Sequence, residues 1–225
     1  MSSGNPLNPE GRSPLEARTL RPGSWKKPAI RLVPAPPGTA SRGMVVEKDY
    51  RGLSPLLRWY GLLILQRERR AYRELADVGA VPNLLASRDR VLALEYVQGM
   101  AISRLTGTER GPAAFSSLER AVAAIHARGV YHLDLRKRDN ILVGADGNVH
   151  ILDFASAFRV REGSVLGWLT GPILRFFDHY AVLKWKAALN PASMLAWEWS
   201  RIRWLSALRR RRSPPAPPSH GPTRP

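Results

Sequence analysis

The segment Asn140–Phe154, NILVGADGNVHILDF, constrains this chain more than any other. Two short apolar runs flank an Asp-Gly pair, the strongest short-range signal for a β-hairpin. A hairpin returns the chain to its own starting end. Asn140 at the entry and Asp153 at the exit must therefore lie close together. Immediately upstream, HLDLRKRDN crowds acids and bases into one loop, and Asp134 leads it. Asp134, Asn140 and Asp153 are three oxygen ligands on one hairpin frame, a donor set suited to Mg²⁺ and phosphate.

The flanking sequence supplies the rest of an α+β pattern. AIRLVP and GMVVEKDY read as strands separated by a turn-rich stretch, and residues 55–78 read as a helix. NLLASRDRVLALEYVQG reads as two strands around a polar turn at Ser87 to Arg90. SSLERAVAAIHARG is predicted as a helix, with Ser116 and Glu119 as a capping box and Gly129 as its stop. Phe115, Leu118, Val122 and Ile125 fall on its apolar face. Residues 1–28 are rich in Pro, Gly, Ser and Asn, and residues 209–225 join a basic run to a Pro-rich tail; both are expected to be disordered.

Composition bounds the chemistry. With no Cys, disulfides and thiolate metal sites are excluded. A net charge of +17 draws the chain to polyanions such as nucleic acid, anionic head groups or nucleotides, without choosing among them. No apolar run follows the N-terminus as in a secretory signal, and none reaches the roughly 18–20 residues needed to span a bilayer. The expected location is cytoplasmic, or peripheral on the inner face of the cytoplasmic membrane.

HLDLRKRDNIL resembles the catalytic loop of protein kinases, ILDFASAF resembles their D-F-G segment, and VVEK resembles the strand carrying their nucleotide-binding lysine. The ordered set is similar to the protein-kinase-like superfamily over about residues 29–158. With its short C-terminal part, it most resembles the atypical bacterial branch: RIO-like enzymes and the Kdo/heptose kinases of lipopolysaccharide core. The resemblance implies a minimal two-lobed fold, with an N-lobe over 29–100 and a short helical C-lobe over 101–208. It implies ATP and Mg²⁺ as cofactors and a hydroxyl acceptor, on a glycolipid sugar or on protein. Asp134 would orient or deprotonate that hydroxyl, Lys48 would touch the phosphates, and Asn140 and Asp153 would hold the metal. Arg136 stands where many kinases carry a catalytic-loop lysine. His132 is read as a brace of the loop.

Two acids could pair with Lys48. Leu65, Glu68, Tyr72 and Leu75 fall on one helix face, whereas Arg67, Arg70, Ala71 and Glu74 fall on another that reads as solvent-facing. An acid on an apolar face calls for a buried cation, so Glu68 is the expected partner.

The chain also departs from the kinase pattern. Asn140 lies one residue further from Asp134 than in most kinases, and Asp139, at the usual position, is an alternative ligand. Leu133 replaces the Arg of H-R-D, and Ala155 replaces the Gly of D-F-G. No Gly-rich loop precedes Lys48; Gly38 and Gly43 only flank the turn TASR. These departures leave a catalytically weak scaffold as a rival to an enzyme. Trp168, Trp185, Trp197, Trp199 and Trp204 are interleaved with Arg and Lys near the C-terminus. That mixture fits three settings: core packing, an anionic membrane surface, or stacking on nucleic acid.

Overall fold

The computed structural model describes residues 17–24, 27–35, 43–160 and 164–211. It is a mixed α+β chain. Strands β1 (Arg18–Arg21), β2 (Ala29–Pro34), β3 (Met44–Asp49), β4 (Leu84–Arg88) and β5 (Val91–Glu95) form one antiparallel sheet in the order β1-β2-β3-β5-β4. Helix α1 (Arg58–Glu74) follows β3. Asp89 and Arg90, both at positive φ, make the tight turn between β4 and β5.

The sheet begins earlier than expected. Arg18–Arg21, assigned by sequence to a disordered arm over 1–28, pairs with β2. The short TLR run lacks a long apolar pattern and is recruited by the free edge of β2. Residues 1–16 lie outside the described residues.

Strand β6 (Gly99–Ala101), helix α2 (Gly111–Ala127), strand β7 (Val130–Tyr131) and the hairpin β8 (Ile141–Gly144) and β9 (Val149–Ile151) come next. β6 pairs with β8, so the expected division at residue 100 falls inside a strand that belongs with the hairpin. Gly147, at φ +80°, makes the Asp-Gly turn. Strand β10 (Phe158–Arg159) returns to pair with β7.

The capping box at Ser116 and Glu119 does not form. α2 starts at Gly111, with Pro112 in its first turn, and the Ser116 hydroxyl donates to the Pro112 carbonyl at 3.2 Å. Pro suits a first helical turn because its missing N–H would have no partner there, so the Gly-Pro pair sets an earlier start. Gly129 does end the helix at φ +66°, donating its N–H to the His126 carbonyl. A Cβ at this position would sit 2.2 Å from the Val160 carbonyl oxygen, so close approach as well as backbone conformation requires glycine.

Two long helices complete the chain: α3 (Val165–Leu189), capped by the Ser164 hydroxyl, and α4 (Ala196–Arg211). The tail expected from residue 209 is helical through Arg211, and the remainder lies outside the described residues. Lys186 of α3 donates to both carboxylate oxygens of Glu198 at 2.8 and 2.9 Å, tying the helices together. The main core joins α2, the hairpin and the second half of α3, with Leu118, Ile125, Ile141, Ile151 and Phe154 fully buried. No helix among the described residues is long and apolar enough to cross a membrane.

Candidate active site

Lys48 lies in the central strand of the sheet, directly across from Ile30 on one side and Leu92 on the other. An ammonium on this apolar face needs acidic partners. It donates to Glu68 of α1 and, at 2.9 Å, to Oδ1 of Asp153. Lys48 is 6% exposed and Glu68 is fully buried, so neither charge could be tolerated alone. Tyr50 donates its hydroxyl to the second Glu68 oxygen at 2.6 Å. Burial works against the charged lysine, but Glu68 and Asp153 hold its pKa well above the ordinary value.

The helix face that carries Glu68 is the apolar one: Leu65, Tyr72 and Leu75 are buried with it. Glu74 is turned away and pairs with Arg159 at 2.7 Å. Ala71, assigned by sequence to the solvent face, is buried as well, because the D-F-A turn and β10 pack on that side of α1.

Asp153 follows β9 with φ +66°, a left-handed conformation unusual for a non-glycine residue. Tyr72 helps hold it there, accepting the Asp153 N–H on its hydroxyl at 3.2 Å. Tyr72 and His132 make edge contacts with the fully buried Phe154, at ring separations of 5.2 and 4.9 Å. This stack joins α1 to the loop carrying Asp134. Burial raises the Asp153 carboxyl, but Lys48 and Lys137 more than offset that and keep it well below the usual carboxylate range.

Asn140 is buried, and its side-chain amide donates to the Asp134 backbone carbonyl at 3.1 Å and to Oδ2 of Asp134 at 3.3 Å. The amide nitrogen being committed, its oxygen is the atom it can offer a cation. Leu152 donates its N–H to the Asn140 carbonyl at 2.8 Å, so the two hairpin ends do meet. Asp139 is exposed and lines the same cavity as Asn140 and Asp153. No cluster of three or more His, Cys, Asp or Glu able to hold a metal forms among the described residues. The oxygens gathered at this end of the cavity are instead one carboxylate, Asp153, and one amide, Asn140, with Asp139 at the rim. So few protein oxygens fit Mg²⁺, which keeps several waters and takes further oxygens from bound phosphates.

Arg136 is exposed and lines neither cavity of the site. Lys137 lines both, and its ammonium reaches Oδ2 of Asp153 at 3.4 Å. The longer loop shifts the basic residue by one place. Counting back from Asn140, rather than forward from Asp134, selects Lys137.

Sequence reasoning also missed Asp178. It lies on α3, is fully buried, and accepts the backbone N–H groups of His132 and Leu133, each at 2.7 Å. Its Oδ2 also lies 3.0 Å from Nε2 of His126. Leu133 adopts φ +63° under this clamp. Trp185, one helical stretch further on, donates its indole N–H to the Leu135 carbonyl at 2.8 Å.

His132 is fully buried, with Nδ1 accepting the Asp134 N–H at 3.2 Å and Nε2 facing the Leu152 carbonyl at 2.9 Å. The ring is a brace with both nitrogens engaged. Burial lowers its pKa, more than nearby Leu152 and Asp178 raise it. A histidine held neutral in the fold gives stability that is present above the unfolded pKa of about 6.5 and is lost as pH falls through the folded value. Thermal melts should therefore show a falling Tm from about pH 7 to pH 5. His179, also lowered by burial and by Arg201, adds to the same loss. A His132→Asn variant should show a shallower slope; an unchanged slope would remove His132 from this account.

The main cavity, about 410 Å³, runs between Ile30, Val46 and Leu94 of the sheet and Leu142 and Leu152 of the hairpin. Lys48, Lys137, Asn140 and Asp153 stand at its polar end. A smaller cavity of about 240 Å³ adjoins it, sharing Lys48, Lys137 and Asp153 and adding Asp134, Tyr60 and Ser156.

No family model matches the chain. Curated relatives match part of it. CBL-interacting protein kinase 21 of Oryza sativa subsp. japonica is 32% identical over 108 residues, covering 41% of this chain and 20% of that protein. CBL-interacting protein kinase 5 of the same organism is 42% identical over 83 residues, or 34% and 18% of the two chains. CBL-interacting serine/threonine-protein kinase 21 of Arabidopsis thaliana is 28% identical over 115 residues, or 48% and 27%. The chain thus spans less than a third of the length of these relatives. Such partial likenesses support a protein-kinase-like superfamily and, at a coarse level, phosphotransfer.

Proposed function

We propose that the chain transfers the γ-phosphoryl group of ATP to a hydroxyl. What supports this most is the buried Lys48, held between Glu68 and Asp153 with Asp134 and Lys137 at the rim. Such an array presents a fixed cation to phosphate and a carboxylate to an acceptor. The sheet with α1 would form one lobe and the remainder the other, with the base of the nucleotide between Val46 and Leu142. Bound Mg²⁺ would neutralise phosphate charge, held by Asp153 and Asn140, with Asp139 as a rim ligand. Asp134 would orient the acceptor hydroxyl and take its proton as the new O–P bond forms and the bond to the leaving ADP breaks. Lys137, rather than Arg136, would face the transferred group.

The acceptor in this reading is a sugar hydroxyl of a membrane glycolipid, as in lipopolysaccharide core, reached from the inner face of the cytoplasmic membrane. Trp185 is buried, but Trp168, Trp197 and Trp204 are each more than half exposed, together with Leu169, Ile173 and Phe177. Exposed Trp and Phe among Arg residues suit the interface of an anionic bilayer. A second reading is transfer to protein serine or threonine, favoured by the names of the relatives. A labelled-ATP assay offering glycolipid-containing vesicles and a protein fraction separates them. Label in lipid is the expected result, label only on protein selects the second reading, and label on neither, with no ATP turnover, overturns both.

A further inference from the structure

The turn TASR that precedes Lys48 lies outside the described residues. Gly43 lies in the connection from β2 to β3, and Gly38 falls outside the described residues. The turn at the cavity joins β1 to β2, and it contains a single glycine in PGSWKKP. Its backbone closes through Ser24 and Lys27, which exchange N–H···O bonds of 2.9 and 3.2 Å, and the Lys27 N–H also donates to the Ser24 hydroxyl at 3.1 Å.

We infer that Arg21 and Lys27 form a side-chain clamp for the polyphosphate of a nucleotide, in place of the backbone amides of a glycine-rich loop. The inference rests on the phosphotransferase reading above. Strand register places Arg21 opposite Ile30, and Ile30 opposite Lys48, so the arginine and the buried lysine share one row on one face of the sheet. Arg21 lines both the main cavity and the adjoining one, and so stands at their border. Lys27 lines the adjoining cavity with Asp134, Lys137 and Asp153.

The guanidinium is short of acceptors. Among the described residues its Nε is buried with no hydrogen-bond partner, and its one hydrogen bond is a long one of 3.5 Å to the Pro28 carbonyl. Among the described residues no ion pair joins Arg21 or Lys27 to a carboxylate, whereas Lys48 and Lys137 both pair with Asp153. A buried donor left unpaired is costly, and an arginine fork matches phosphate oxygens in two bonds at once. Two cations on one rim of a cleft, without acidic partners among the described residues and opposite a lysine already neutralised by acids, have the charge and geometry for an anion that enters from solvent.

Calorimetric titration of the full chain with Mg-ATP and, separately, with adenosine tests this. Arg21→Ala and Lys27→Ala should each weaken ATP binding by about 10-fold, the size expected for one charge-assisted bond, and leave adenosine binding nearly unchanged. Arg21→Lys should recover part of the loss. Lys27 is exposed in a turn, so its variant remains informative even if Arg21→Ala disturbs β1. Unchanged ATP binding in Lys27→Ala and Arg21→Ala, or an equal loss for ATP and adenosine, overturns the clamp alone. A wild-type chain that binds neither compound overturns the phosphotransferase reading along with it.

Discussion

Replacing Asp134 by Asn should lower phosphoryl transfer by about 10²–10⁴-fold while leaving the fold and nucleotide affinity nearly intact. Asparagine has the same shape, and the local bonds do not depend on charge. Asn140 donates to the backbone carbonyl of residue 134 as well as to its side chain, and the 134 N–H stays on His132. What is lost is the proton acceptor at the mouth of the adjoining cavity. A loss of that size raises the barrier by about 3–5 kcal/mol and should appear in kcat rather than in ATP binding. Steady-state transfer assays paired with ATP titration check it. An unchanged kcat would exclude Asp134 from the chemistry, and a chain that binds ATP without turning it over would be a scaffold.

The second large effect is structural. Asp178→Ala removes a fully buried carboxylate that accepts from two backbone amides and contacts His126. Alanine offers no acceptor and leaves space, so the donors of His132 and Leu133 are stranded in the core. Removing one partner of such a buried set costs about 3–5 kcal/mol. For a chain of this size that lowers Tm by about 6–20 °C. Leu133 holds a left-handed conformation under the clamp, so transfer activity measured below the melting point should fall too. Asp178→Asn, which keeps one acceptor oxygen, should lose less. A melt within a degree or two of wild type for Asp178→Ala would show that the loop is held by something else.

The parts legible in the sequence are those with local causes. The Asp-Gly turn and its apolar flanks specify a hairpin, and with it the meeting of residues 140 and 153. The steps of three and four from Leu65 to Leu75 define the face that carries Glu68. The start of α2 is harder to read, because a polar Ser-x-x-Glu pattern competes with a Gly-Pro start five residues earlier. The place of Lys137 is hidden because an inserted residue shifts the loop register, and counting from one end alone does not show where the shift is absorbed. Asp178 sits beside His179 in an ordinary helical run, and its partners are more than 40 positions earlier in the chain; only packing brings them together. Strand β1 is not legible because its short TLR run has no long apolar pattern and follows a stretch rich in Pro, Gly and Ser; it becomes a strand only against the edge of β2.

Helix α3 has one further consequence. Its second half grips the loop through Asp178 and Trp185, while its first half carries exposed Trp168, Leu169 and Ile173. Ten residues separate Trp168 from Asp178, about 15 Å at the α-helical rise of 1.5 Å per residue. The helix is therefore a ruler. On the proposed function, a surface that took up its aromatic end would be held at a set stand-off from the Asp134 loop, and the length of that rod would limit how far from the surface an acceptor hydroxyl could lie.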